Sequence, residues 1–261
     1  MTRRVVGLLA ATVLIVGVCA TGMVMSLGGC GKGATQEKEL VILCGSSFLP
    51  PTEALIAEFK AKTGIAATFT TGGSEDLLPN VKAKSIGDIF ITHDPYLNYT
   101  KDAGACADQV EVGFVAPVLA VQKGNPKSIR KIEDLAQPGL KVALSDPKYS
   151  TCGEMVAALL QKKGLKDAVM VNVENRLTKG HSTLGTFLKT QAVDAVIMWN
   201  GVAHTFREHL DIVKTPYEYD SETRVWVIGL NYSKKPDFVT QFMDFVRTDG
   251  PRIFAEHGYV K

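Results

Sequence analysis

Polar and apolar positions divide the chain into a leader, a short polar connector and a long patterned region. Behind Arg3 and Arg4, an almost uncharged apolar run extends from Val5 to about Leu27. Residues Ala34 to Glu39 are polar and without period, as a flexible tether would be. Leu40-Val41-Ile42-Leu43 then forms a continuous apolar run, which suits a strand buried on both faces of a parallel sheet. It breaks at Cys44-Gly45-Ser46-Ser47, and a helix is predicted behind it, with Pro50 and Pro51 in its first turn and Gly64 closing it near Lys60 and Lys62. Ala66 to Thr70 reads as a second strand. Thr71-Gly72-Gly73-Ser74 leads into a helix that starts with Glu75 and Asp76, and Gly87 to Ile91 reads as a third strand.

This βαβαβ order predicts an open parallel sheet with helices on its faces. The order recurs downstream. Val115 to Gln122 is strand-like, Ile132 to Leu135 a short helix, and Lys141 to Leu144 a strand. A helix is predicted from about Gly153 to Lys163, strands at Ala168–Val173 and Val193–Met198, and a helix between them from about Thr183 to Thr190. Val225–Leu230 is a late strand, and two amphipathic helices, about Pro236–Thr248 and Pro251–His257, end the chain. His204 and His209 fall on one predicted helix. No repeat or low-complexity segment interrupts the pattern.

The leader has the n-region and h-region of a secretory signal. It ends in Leu27-Gly28-Gly29-Cys30, which resembles the lipobox of bacterial lipoproteins, where the cysteine becomes the lipid-bearing N-terminus. An apolar run of this length would also suffice for an uncleaved span. Either way the rest of the chain is placed outside the cytoplasm. About 230 residues follow, enough for two small domains. The whole chain is 46% hydrophobic with a net charge of +2, and its Lys and Arg are interleaved with Asp and Glu, which argues against a nucleic-acid partner. Of five cysteines, Cys19 and Cys30 belong to the leader, so Cys44, Cys106 and Cys152 form no disulfide framework.

Candidate chemistry lies where strands end and helices begin. In open α/β sheets, ligands sit beyond the carboxyl ends of the strands, facing helix N-termini with their free N–H groups. Gly45-Ser46-Ser47, Gly72-Gly73-Ser74 and Ser150-Thr151-Cys152-Gly153 are three such turns, and Gly180-His181-Ser182-Thr183 is a fourth. Each offers backbone donors and a hydroxyl. Any one of them is explained by N-capping alone, whereas four together favour a cleft for a small anion. No nucleophile elbow, His-Glu-x-x-His, P-loop or dinucleotide fingerprint is present, so neither an enzyme nor a resident cofactor or metal is predicted. His93-Asp94 follows a strand end and can face the cleft. Convergence of Cys44, Cys152 and His181 on a soft metal or metalloid stays open as an alternative.

In their order and spacing, Val41–Phe48, Gly87–Ile91, Ser145-Asp146-Pro147 with Gly153, Val193–Ile197 and Ile253-Phe254 with His257-Gly258-Tyr259 resemble a solute-binding protein of an ABC importer, specifically the molybdate/tungstate-binding family. The resemblance covers essentially residues 40–261. It implies an α/β periplasmic-binding-protein fold of the two-domain, type II (Venus-flytrap) kind with two hinge crossings. Domain I would comprise residues 40–115 with 222–261 and domain II residues 116–221, behind a signal at 1–30 and a tether at 31–39. Hinges are expected near Phe114–Ala116 and Glu218–Val225. The implied ligand is a tetrahedral oxyanion held by neutral donors: Ser46 and Ser47, Gly73 and Ser74, and the backbone N–H groups of Cys152 and His181. Trp199 stands at the position of the family's tyrosine, and His181 would add a proton-dependent donor. The implied partners are the oxyanion, a membrane permease and, through Cys30, the membrane itself, with the receptor a monomer. An extracytoplasmic sensor is the remaining alternative.

Overall fold

The computed structural model describes residues 39–214 and 223–260. The leader, Cys30 and the tether up to Lys38 lie outside the described residues, as do 215–222, where most of the second expected hinge falls. The first element is β1, Glu39–Gly45. As the uninterrupted apolar run predicts, Leu40, Ile42, Leu43 and Cys44 are all fully buried. A single 3-10 turn, Ser46–Phe48, leads into α1, Leu49–Thr63. Two prolines suit its first turn, where backbone N–H groups have no intrahelical acceptor. Gly64 ends it at φ 74° and donates its N–H to the Lys60 carbonyl. Next come β2 (Ala66–Gly72), α2 (Ser74–Lys82), β3 (Ile89–His93), α3 (Tyr96–Asp102) and β4 (Cys106–Val115).

The chain then enters a second sheet through β5 (Pro117–Gln122) and β6 (Val142–Ser145), with α4 (Thr151–Lys162) and α5 (Lys166–Val173) behind them. It continues with β7 (Leu177–Thr178), α6 (His181–Lys189), β8 (Ala195–Trp199), α7 (Asn200–Thr205) and β9 (Leu210–Val213). Finally β10 (Thr223–Leu230) rejoins the first sheet, and α8 (Pro236–Glu256) packs over it. The strand orders are β2-β1-β3-β10-β4 and β7-β6-β8-β5-β9.

Four expectations are corrected. The sheets are mixed, not parallel throughout: β10 runs antiparallel to β3 and β4, and β5 antiparallel to β8 and β9. The parallel βαβ grammar holds for β2-β1-β3 and β7-β6-β8. Residues 168–173 are helical, within α5. Their β-branched valines suggested a strand, but Val169, Asn172 and Val173 share one buried face at helical spacing. The two C-terminal helices are one, α8, running through Gly250-Pro251. Gly250 serves packing there, since a Cβ on it would lie 2.9 Å from Val112 Cγ1. His209 lies in a turn beyond α7, its N–H donating to the Phe206 carbonyl, and so does not share a helix with His204.

The step from β4 to β5 is one residue, Ala116, and it carries the chain between sheets. Asn200 grips it on both sides: the Ala116 N–H donates to Asn200 Oδ1, and the Asn200 N–H donates to the Ala116 carbonyl. The Asn200 amide also donates to the carbonyls of Gly258 and Val260, tying the C-terminal segment to the same crossing.

Candidate functional site

The turns singled out in the sequence meet at one small cavity. From the first sheet it is lined by the turn after β1 (Gly45, Ser46, Ser47, Phe48), the start of α2 (Gly73, Ser74, Glu75) and His93 at the end of β3. From the second sheet come Tyr149, Ser150, Thr151, Lys179, His181 and Trp199. Its volume is about 30 Å³, the room of roughly two or three water-sized groups. That suits a compact inorganic ion better than a sugar or an amino acid.

The donors are backbone and hydroxyl groups. Among the described residues, the Ser46 and Ser47 hydroxyls have no protein partner. The turn that carries them is held from behind, where the buried Tyr259 hydroxyl donates to the Ser47 carbonyl. Ser74 Oγ accepts from Thr92 at 2.8 Å, which leaves its own proton available to donate. Ser150 caps α4 by accepting from the Gly153 N–H, so the N–H groups of Thr151 and Cys152 remain as first-turn donors. The cap requires glycine at 153, because a Cβ there would lie 2.6 Å from the Ser145 carbonyl oxygen. The Cys152 side chain is fully buried in the core, and the cavity lining ends at Thr151, so the structure does not bring Cys152 itself to the wall as expected. In α6, Gly180 precedes the first helical residue, His181, without a side-chain cap.

His181 is a buried neutral imidazole. Its Nδ1 lies 3.4 Å from the Trp199 N–H and 3.5 Å from Ser145 Oγ, and Nε2 lies 3.4 Å from Ser150 Oγ. Accepting at Nδ1 leaves the proton on Nε2. Burial, the larger cause, and the neighbouring His93 push its pKa down to about 3. The expectation of a proton-dependent donor is therefore corrected: near neutral pH His181 carries no charge, because burial of the ring and the neighbouring His93 both disfavour the cation. Trp199 stacks on this ring at 5.6 Å, and its buried indole N–H has no protein acceptor among the described residues.

His93 sits at the opposite wall, in edge contact with Trp199, Tyr96 and Phe48. Its Nδ1 lies 2.6 Å from the Asp94 carbonyl, and burial lowers its pKa. Glu75 brings the one carboxylate of the lining. The Tyr96 hydroxyl donates to it at 3.4 Å, and its pKa is raised, chiefly by burial. Lys179 is the one cation of the lining and is already engaged, 2.8 Å from Asp76 and over the Tyr149 ring at 5.4 Å. Both contacts are exposed and screened.

Ser46, Ser47, Gly73, Ser74, His181 and Trp199 are thus brought together. Glu75, Tyr149, Lys179 and the supporting Thr92 and Tyr259 were not among the expected site residues: Glu75 and Tyr149 adjoin expected turns, while Lys179, Thr92 and Tyr259 come to the site through tertiary packing. Cys44 and Cys152 go elsewhere: Cys44 Sγ lies 3.3 Å from Thr52 Oγ1 in the core, and burial raises its pKa to about 12. Among the described residues no group of three His, Cys, Asp or Glu side chains could hold a metal ion. The soft-metal convergence of Cys44, Cys152 and His181 is absent from this structure.

Comparison with known proteins agrees with this architecture. The chain is 24% identical to the molybdate-binding protein ModA of Mycobacterium tuberculosis over 97% of its own length and 96% of that protein's. The periplasmic molybdate-binding protein of Azotobacter vinelandii superposes with a TM-score of 0.68 at 17% identity, covering 85% of this chain and 99% of that one. The sulfate-binding protein SubI of M. tuberculosis superposes with a TM-score of 0.67 at 19% identity, covering 85% and 86%. Both show the two-domain binding-protein fold. The family model for bacterial extracellular solute-binding proteins matches residues 40–260, and the chain belongs to that family.

Proposed function

We propose that this protein captures a small tetrahedral oxyanion, molybdate or tungstate first, and delivers it to an ABC permease while tethered to the membrane through Cys30. One observation supports it above the rest: four helix or turn N-termini, two from each sheet, converge with uncommitted hydroxyls on a cavity of about 30 Å³. Oriented N–H dipoles and hydroxyls stabilise an anion without a cationic side chain. Preorganised neutral donors also make the cavity's size, more than net charge, the basis of selection. The likeness to molybdate-binding relatives points the same way, while the sulfate-binding neighbour keeps the choice of anion a matter for measurement. Residues 39–115 with 223–260 would form one lobe and 117–213 the other, with closure about Ala116 and the segment that joins β9 to β10.

Calorimetry and thermal-shift titration with molybdate, tungstate, sulfate, phosphate, chromate and arsenite test this. One of these anions should raise the melting temperature with its concentration. Ser47→Ala should weaken its binding by more than about 1 kcal/mol through loss of a charge-assisted hydrogen bond. An unchanged affinity for every anion in that variant removes Ser47 from the site, and no response to any anion refutes the reading.

A further inference from the structure

Glu75 is out of place as the one carboxylate in a cleft whose other lining groups are neutral, apart from Lys179, which is paired with Asp76. It is the second residue of α2, and its side chain turns back over that helix's N-terminus. A Cβ on Gly73 would meet Glu75 Oε1 at 2.0 Å, so only glycine at 73 leaves the carboxylate its room. The carboxylate accepts the Tyr96 hydroxyl at 3.4 Å. Thr151, at the start of α4, lies beside Tyr96 and lines the same cavity, so the carboxylate sits where groups from both sheets meet. A fully ionised oxyanion entering this cavity would meet a second negative charge on the cavity wall, at a half-buried site where screening is weaker than in bulk water.

We propose that Glu75 makes anion capture proton-coupled: the Glu75–oxyanion pair binds one proton, and Glu75 is a specificity-determining residue that disfavours ligands unable to share it. With a dianion such as molybdate, the proton comes from solvent, and Glu75 becomes a neutral acid that donates to an anion oxygen. With a hydrogen oxyanion such as hydrogen phosphate, the ligand brings the proton and Glu75 accepts it as carboxylate. This inference rests on the oxyanion-receptor reading above. The other titratable groups facing Glu75 are Asp76 on its own helix, Tyr96 on α3, His93 on β3, Tyr149 before α4, and Lys179 and His181 at α6. Lys179 is held by Asp76, and His181 stays neutral through the range tested. The raised pKa of Glu75, from burial and from Asp76, favours the protonated form in the same direction.

The experiment is calorimetry of the full protein and of Glu75→Gln with molybdate, sulfate and inorganic phosphate, from pH 5.5 to 8.0, in buffers of different ionisation heat. For the bound dianion, the wild type should take up close to one proton at pH 7–8. Its affinity should fall by nearly tenfold per pH unit there. Glu75→Gln should take up none, show a flat pH profile and bind the dianion at least tenfold more tightly at pH 8. Glu75→Asp, which keeps the carboxylate, should retain the proton uptake. Equal proton uptake in wild type and Glu75→Gln, or none in the wild type, overturns the inference and leaves the receptor reading intact. Absence of binding by either protein at every pH overturns both.

Discussion

Lowering the pH from 7.5 to 5.0 should destabilise this protein by about 2 kcal/mol through His181 alone. The ring is buried, accepts the Trp199 N–H at Nδ1, and has its pKa pushed from 6.5 to about 3. A base whose folded pKa is depressed contributes stability that is complete above its unfolded pKa. That stability drains away as pH falls toward the folded value, because the unfolded chain binds the proton and the folded chain does not. At pH 5.0 unfolded His181 is almost fully charged and folded His181 almost fully neutral, and integrating between the two pKa values down to that pH gives about 2 kcal/mol. His93 is shifted in the same direction by burial and adds to the loss. Urea denaturation at half-unit pH steps measures it, with His181→Asn as the comparison. That variant keeps an acceptor near the Trp199 N–H but cannot titrate. It should be less stable at pH 7.5, yet lose about 2 kcal/mol less than wild type on acidification. Equal losses in the two proteins would refute the assignment of a neutral buried imidazole.

Other consequences can be checked separately. Gly201→Ala would place a Cβ 2.3 Å from the buried Tyr259 ring, which costs about 1–3 kcal/mol of overpacking. It should lower the melting temperature and, by shifting the tyrosine that holds the Ser47 carbonyl, weaken anion binding as well. Thr92→Val removes the hydroxyl that donates to Ser74 at 2.8 Å. Calorimetry should show affinity reduced by about 1 kcal/mol, the scale of one hydrogen bond. Of the three cysteines outside the leader, only Cys106 should react quickly with a thiol reagent near pH 8 in the folded protein. All three thiols have pKa values raised by burial, but Cys106 is only half-buried, whereas Cys44 and Cys152 are fully buried and should react only after denaturant is added.

Much of this molecule was legible in one dimension. The apolar run 40–43 suited a buried strand, and all of it but the half-buried Val41 is in the core; Gly64 with its two lysines suited a helix end, because local sterics and burial act over a few residues. The serine- and glycine-bearing turns followed from the same grammar, and the structure places them around one cavity. Segments whose conformation depends on distant partners were harder. The valines of α5 carry strand propensity, but one face of them is buried at helical spacing. Gly250-Pro251 reads as a helix stop, yet close packing on Val112 keeps α8 continuous. The antiparallel strands β5 and β10 are fixed by which sheet the chain re-enters, and nothing local records that.

The site divides the same way. Sequence alone located the serine- and glycine-bearing turns that line the cavity, since a hydroxyl at a helix start is a local feature. Tertiary structure decided what surrounds them: the fold of Glu75 over Gly73, the neutral state of His181 against Trp199, and the Ala116–Asn200 clasp at the crossing between sheets. Charge state and cavity size are set by burial and by neighbours far away in the chain, so they exist only once the chain has folded.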